Sequence, residues 1–347
     1  MPDIRIDLYS DTVTRPSEGM RRAIYEAEVG NEQAKEDPTT NRLQELAAEM
    51  LGKEQAVFLP SGTMCNAIAY RVHCEPGDEV ILDKTAHTLH WEAGGPAALN
   101  GVMSRTLEGE NGIYTPEQVR DAVRGYRHHH PTSRLLHVEQ TTMWGGGRVW
   151  TLERIAAVAA VAREHGMAVH MDGARLMNAV VASGLPATEH TKAVDTVWLD
   201  FTKGLGAPVG AVLAGPGDFI ERAWRFKHQF GGAMRQSGII AAAGLYALEN
   251  NIERLAEDHA NARALGAALA EVPGIGIDMD QIQTNIVFID VAGTGRSAKE
   301  IHDGLVAKGV RIGVFGPTVM RALTHLDADR AAVEEAAATL AEVVAGG

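Results

Sequence analysis

A chain of 347 residues, 45% of them apolar and 22% charged, can bury a large core and is too long for a single sheet-and-helix layer, so a large domain with a smaller companion is expected. Forty-five acidic against 32 basic side chains give a net charge of −13, which argues against a nucleic-acid-binding surface but leaves room for a locally cationic pocket and a small anionic substrate. The start, MPDIRIDLYSDTV, is charged from its third residue, and nowhere does the chain reach the roughly 18 apolar residues of a membrane span, so the expectation is a cytoplasmic protein with no membrane partner.

The first clear helix is predicted from about Thr39, with apolar residues at Leu43, Leu46, Ala47, Met50 and Leu51 and a stop at Gly52; the strand AVFLP follows directly. Ser61-Gly62-Thr63 then opens a helical stretch of small residues that carries both cysteines, Cys65 and Cys74. Two thiols in one such stretch make no disulfide framework and fit a reducing compartment. EVILD at 79–83 is the next strand. His128 to His130 with Pro131 reads as an exposed loop, and RLLHVE at 134–139 as a strand. A helix after Thr151 buries Ile155, Val158, Ala159 and Ala162 and stops at Gly166. The strands AVHMD, TVWLDF at 196–201 and AVLAG at 211–215 complete an alternation that builds an α/β fold, a mostly parallel sheet with helices on both faces. From about Asn251 the character changes to a long polar helix reaching about residue 271, the strand NIVFIDV, a helix from about Ser297 and an Ala-rich last helix. The expected division is therefore a large domain over 1–250 and a smaller C-terminal α/β domain over 251–347.

Asp172 and Lys203 each sit at or just beyond the end of a buried strand, where open α/β sheets place their ligands. Taken singly, the aspartate reads equally well as a turn cap and the lysine of TKGLG as a surface residue. Together, on successive strands, they match what pyridoxal phosphate (PLP) chemistry requires: a lysine to hold the aldehyde as an imine and a carboxylate to keep the pyridine nitrogen protonated. Ser61, Gly62 and Thr63 open a helix whose free N–H groups and positive dipole end suit a phosphate, although ordinary capping is a competing reading. His87, after EVILD, is placed to cover a planar cofactor and to move protons near neutral pH, with a structural histidine as the alternative. His73, His90, His165 and His170 fall within predicted helices or strands, and the 128–130 run lacks the spaced acid partners of a metal site, so no metal is expected. Arg175 in DGAR and Arg321 in MRALTHLD are candidates for a substrate carboxylate, against ordinary ion pairs. Arg235 in GGAMRQSG is a candidate phosphate or interface residue.

The blocks DLYSDTVTRPS, FLPSGTMCN, AHTLHWEAGG, HMDGARLMNA, FTKGLGAPVG, GGAMRQSGI and RALTHLD resemble, in order from about Asp7 to Asp327, those of the low-specificity L-threonine aldolases. The resemblance implies the aspartate-aminotransferase-like fold (PLP-dependent transferase fold type I). It also implies PLP as cofactor, an amino-acid substrate cleaved to glycine and an aldehyde, and a homodimer or homotetramer with active sites at subunit interfaces. By motif, Lys203 would form the imine, Asp172 would pair with the pyridine nitrogen, His87 would stack on the ring, and Gly62 and Thr63 would bind the phosphate. Ser10, Arg175 and Arg321 would hold the substrate carboxylate, with Arg175 also near the cofactor's phenolic oxygen, while Arg235 would reach a phosphate from the neighbouring subunit.

Three segments depart from the resemblance. A stretch usually like VYGDDPT places Ala34 where a tyrosine is expected, ENTHN is replaced by Glu139-Gln140-Thr141-Thr142-Met143 followed by Trp144 and three glycines, and a lysine ahead of the Arg235 block becomes His228. The large apolar Met143 and Trp144, and the small Ala34, lead to the expectation of a pocket for a bulkier substituent than the threonine methyl, against the alternative that Trp144 packs at the subunit interface and the substitutions compensate one another. The same cofactor also serves β-elimination, racemisation and transamination, which the sequence leaves open. A nucleotide-binding dehydrogenase or a binding protein is disfavoured because no G-x-G-x-x-G opens the first strand–helix unit.

Overall fold

The computed structural model describes residues 3–346. In chain order the strands are β1 (Ile6–Leu8), β2 (Gln55–Leu59), β3 (Glu79–Asp83), β4 (Met103–Leu107), β5 (Ser133–Glu139), β6 (Ala168–Gly173), β7 (Thr196–Asp200), β8 (Ala211–Gly215), β9 (Ile286–Asp290), β10 (Val310–Val314) and β11 (Val319–Leu323). A seven-stranded sheet has the order β2-β8-β7-β6-β5-β3-β4. From β7 across to β4 its neighbours are parallel, while β8 runs antiparallel to both β7 and β2. Every residue of β3, β7 and β8 is buried, as expected of strands covered on both faces, which is why they read as continuous apolar runs. Strand β4 escaped prediction because it is a mostly exposed edge strand, MSRTL, with no apolar run.

The helix predicted near Thr39 spans Pro38–Met50: Asp37 caps it by accepting from the Thr40 N–H at 2.9 Å, Pro38 occupies the first turn, and Gly52 follows it at φ 58°. Leu152–Glu164 is capped by Thr151 and followed by Gly166 at φ 70°. Such helices fill both faces of the sheet. One apolar cluster contains Leu43, Ile155, Val158, Val197 and Phe201; the opposite one contains Val57, Ile68, Trp198 and Leu213.

A second, four-stranded sheet has the order β1-β10-β11-β9, with its own core of Leu265, Val287, Ile312 and Leu340. Its first strand comes from the N-terminal end of the chain, with Ile6 opposite Val310 in parallel register, so this sheet is not drawn from residues 251–347 alone. The polar helix expected from Asn251 begins at Leu255, after a separate helix Gly238–Asn250. Among the described residues no helix is long and apolar enough to cross a membrane.

Candidate active site

The parallel strands all release their chain on one edge of the large sheet, and side chains gather there because each strand ends in a short turn before its helix. Glu139 closes β5, Asp172 lies one residue from the end of β6 and Asp200 closes β7. A cavity of about 680 Å³ opens on this edge and is walled on the far side by the second sheet. Asp172, Lys203, His87, Ser61, Gly62 and Thr63 line it from the large sheet; Ser10 and Arg321 from the small sheet's side and Arg175 beyond β6 complete the set. Of the predicted site residues, Arg235 alone does not line it: it is exposed, in a loop whose backbone carbonyl accepts from the Glu32 N–H at 2.9 Å.

Asp172 is 1% exposed, and its oxygens accept from the Asn66 amide at 2.9 Å and the Ala174 N–H at 3.0 Å. Among the described residues no cationic side chain forms an ion pair with it, so a carboxylate this deep retains the capacity to hold a protonated ring nitrogen. The Lys203 ammonium pairs with Asp200 and lies 5.7 Å from the Trp198 ring centroid. Trp198 also explains Gly62. A Cβ on that glycine would stand 2.2 Å from the indole, so only glycine lets the first turn of the helix Gly62–His73 close over the ring. Ser61 spends its hydroxyl on capping the Met64 N–H at 3.2 Å, and the first-turn N–H groups of Gly62 and Thr63 are those that a helix leaves without an internal acceptor. Gly62→Ala is therefore expected to destabilise the fold by about 1–3 kcal/mol through overpacking and to weaken phosphate-dependent cofactor binding, read by thermal unfolding and by PLP titration. An unchanged PLP affinity would remove this turn from the phosphate site.

His87 begins a short helix after β3. Its backbone N–H donates to Glu139 Oε2 and its Nδ1 lies 2.9 Å from Glu92 Oε1. Burial opposes charge on the imidazole, but the bond to Glu92 and the carboxylates of Asp172 and Glu139 outweigh it and raise its pKa. Glu139 is pushed up to about 7 by burial and by the nearby Asp172, against the N–H bonds from Met143 and His87. Glu92 and Asn66 were not singled out in the sequence; for Glu92 the local signal was a carboxylate five residues after the histidine in HTLHWE.

On the other side, Arg175 presents its Nε and Nη2 to Asp11 at 2.7 Å each, and Asn285 donates to the same carboxylate at 3.1 Å. Burial pushes the Asp11 carboxyl up, yet Arg175 overrides this and holds it at about 2. Asp11 thereby fixes the guanidinium plane and leaves the remaining N–H groups of Arg175 to a ligand. Arg321 is different. Among the described residues its Nε is buried without an acceptor, its guanidinium lies 4.8 Å from the Phe315 ring centroid, and burial together with the positive Arg175 pulls its pKa down to about 10. Two guanidiniums with one carboxylate, already engaged, make a spot short of negative charge. Ser10 accepts from the Thr12 N–H and hydroxyl, starting the turn that delivers Asp11.

The altered segments fall differently. Ala34 is exposed and outside the cleft of its own chain, so its small side chain does not widen this pocket; the buried member of that segment is Glu32, paired with the fully buried Lys227. His228 is exposed. Gln140 is buried and closes the following loop, accepting from the Trp150 N–H at 3.0 Å and donating to the Trp150 carbonyl at 3.2 Å. Met143 lines the cleft. Trp144 does not, contrary to expectation: it stands behind the wall, its ring 4.4 Å from Phe315 and 6.4 Å from Trp91, both of which do. Gly146 and Gly147 adopt φ of 78° and 74°, which lets the loop turn back toward β9.

A strand-edge cleft holding an aspartate, an amine and a helix N-terminus has the groups that PLP requires. Residues 7–292 match the β-eliminating lyase family. The low specificity L-threonine aldolase of Escherichia coli K12 is 41% identical over 96% of this chain and 97% of its own, and low-specificity L-threonine aldolase 1 of Arabidopsis thaliana is 40% identical over 88% and 87%. In structure the chain is similar to the threonine aldolase of Leishmania major, with a TM-score of 0.84 at 19% identity, covering 98% of this chain and 99% of that one. The chain belongs to the β-eliminating lyase family, in its low-specificity threonine aldolase group, and is a PLP-dependent lyase.

Proposed function

We propose that this enzyme cleaves the Cα–Cβ bond of a β-hydroxy-α-amino acid, L-threonine, L-allo-threonine or a bulkier analogue, to glycine and an aldehyde. The observation that carries this reading is the convergence on one cavity of Asp172, Lys203, His87 and Arg321, whose Nε has no partner among the described residues. Lys203, Asp172 and the turn at Gly62 and Thr63 would hold the cofactor, which when bound supplies the electron sink for the pair released at Cα. Arg321, with the remaining N–H groups of Arg175 and with Ser10, grips the substrate carboxylate. That grip fixes which bond at Cα is presented for cleavage. His87 accepts the proton of the β-hydroxyl, and the cleft returns a proton to Cα. Incubating the PLP-loaded enzyme with these amino acids tests the reading: glycine and aldehyde in equal amounts are expected, whereas pyruvate, another oxo acid or the D-enantiomer would replace it with elimination, transamination or racemisation.

The apolar wall of Met143, Phe315 and Trp91 favours a large β-substituent. Turnover of β-phenylserine, as kcat/KM, is expected to equal or exceed that of threonine. Trp144→Ala, by loosening Phe315 and Trp91, is expected to erode that advantage by about 1–3 kcal/mol. A clear threonine preference indifferent to the mutation would remove the bulky-substrate reading.

The assembly we infer is a cytoplasmic homodimer or homotetramer in which Arg235 reaches the neighbouring subunit's phosphate. In support, the Arg235 loop is fastened to the 30–37 segment through Glu32 and Asp37, and exposed apolar side chains, Val29 and Ile239, flank it. Two buried free cysteines accord with a reducing compartment.

A further inference from the structure

We propose that Glu92 is a positioning residue for proton transfer by His87, holding the imidazole so that Nδ1 keeps its proton and Nε2 is the base. The inference deepens the reading of His87 given above and rests on it.

His87 is the one imidazole among the described residues lining the cleft. Where the resemblance has a second histidine, this chain has Thr142, and Thr142 lines not the cleft but a separate water-sized void beside His137 and Tyr114. Among imidazoles, proton transfer at the substrate's β-oxygen therefore falls to His87, whose tautomer decides whether it works. A neutral imidazole has one donor nitrogen and one acceptor nitrogen, and the bond made by the first sets the second. Glu92 Oε1 lies 2.9 Å from Nδ1, and the Glu92 side chain is 3% exposed, so water does not compete for that oxygen.

Glu92 is itself fixed. The same Oε1 accepts from the Asn66 amide at 2.9 Å, and that amide also donates to Asp172 at 2.9 Å. The Asn66 oxygen accepts from the Trp198 indole N–H at 2.8 Å, which settles which end of the amide faces the carboxylates. The three carboxylates that face His87 are Glu92 on its own segment, Asp172 on β6 and Glu139 on β5, and the last holds its backbone rather than its ring. In the step itself the β-hydroxyl O–H bond breaks and Nε2 gains the proton. The Cα–Cβ pair stays with the glycine fragment as the aldehyde C=O forms, and the new imidazolium charge is met by Glu92.

In the PLP-loaded enzyme, Glu92→Gln is expected to lower kcat about 10- to 100-fold while leaving KM and cofactor affinity within about twofold. The carboxylate raises the His87 pKa, and the base works in its neutral form, so removing the charge should move the acidic limb of the kcat/KM profile about one unit to lower pH. Glu92→Asp should recover part of kcat and return the limb toward its original position. In a His87→Asn background Glu92→Gln should cost nothing more, since the two act as a unit. A reduced kcat with an unmoved limb, or the same loss repeated in the His87→Asn background, overturns the role of Glu92. If Glu92→Gln does not fold, the limb in Glu92→Asp decides, and an unmoved limb overturns it. A His87→Asn enzyme with wild-type kcat overturns the assignment of His87 as base, and this inference with it, while leaving the cleavage reaction itself in place.

Discussion

Lys203→Ala is expected to abolish the borohydride-stable attachment of cofactor to the chain and to lower turnover by at least about 10²- to 10⁴-fold, the range that a positioned proton-transfer group alone supplies. Lys203 stands three residues beyond the end of β7, its ammonium against Asp200 and over the face of Trp198, and no other lysine lines the cleft among the described residues. Deleting it leaves Asp200 Oδ1 with the N–H and hydroxyl of Thr202, at 3.1 and 2.9 Å, so the carboxylate loses its partner on Oδ2 but stays hydrogen-bonded through the other oxygen, and the fold should persist. Non-covalent cofactor should also stay, since Asp172 and the helix turn at Gly62 are untouched. Reduction with borohydride followed by peptide mapping checks this. A labelled wild-type peptide that lacks Lys203, or a mutant that still fixes cofactor covalently, would show that another amine does the work.

The inner strands of the large sheet were legible because burial on both faces leaves a short, mainly apolar run: EVILD and AVLAG coincide with β3 and β8 to the residue. The strands that were missed are those where burial is partial or local. β4 is an exposed edge, and β1 has three residues whose partner, β10, lies some three hundred positions away, a pairing that no local period encodes. Arg321 stands out in MRALTHLD without its strand, since β11 mixes buried and half-buried residues through VMRAL and ends in a turn.

In the site, the residues legible in advance were those a strand end or a helix start announces: Asp172, Lys203, His87 and the Ser61–Thr63 turn. What the sequence hid is the set that supports them across the fold. Asn66 lies in the middle of a helix of small residues, where it reads as an indifferent polar position, yet it bridges Glu92 and Asp172. Asp11 carries no local signal of its own in DLYSDTV and is the fixed counter-ion of Arg175, 164 residues further along. Trp144 reads in the sequence as a large apolar residue near the substrate and is one layer further out, because Phe315, from the turn after β10, takes the wall position. Each of these depends on two distant segments meeting.

Arg321→Leu is expected to raise KM for the amino acid far more than the dissociation constant for PLP. Truncating one partner of a buried charge-assisted pair costs about 2–5 kcal/mol, or roughly 30- to 5,000-fold in affinity. The free enzyme supplies the reason to expect so lopsided an effect. Among the described residues the Arg321 Nε is buried with no acceptor, Phe315 covers the guanidinium, and the neighbouring Arg175 repels it, while the carboxylate nearby, Asp11, is already bound through both oxygens to Arg175. A cation in this position is costly to the fold until an anion arrives, and a substrate carboxylate is the anion whose two oxygens fit its fork. It follows that leucine, which fills part of the same apolar space without the charge, should leave the melting temperature of the substrate-free enzyme unchanged or higher even as substrate binding collapses. A structural arginine would behave in the opposite way, lowering the melting temperature with KM little altered. Measuring both quantities on the same PLP-loaded preparation separates the two roles, and equal losses of cofactor and substrate affinity would assign Arg321 to the phosphate instead.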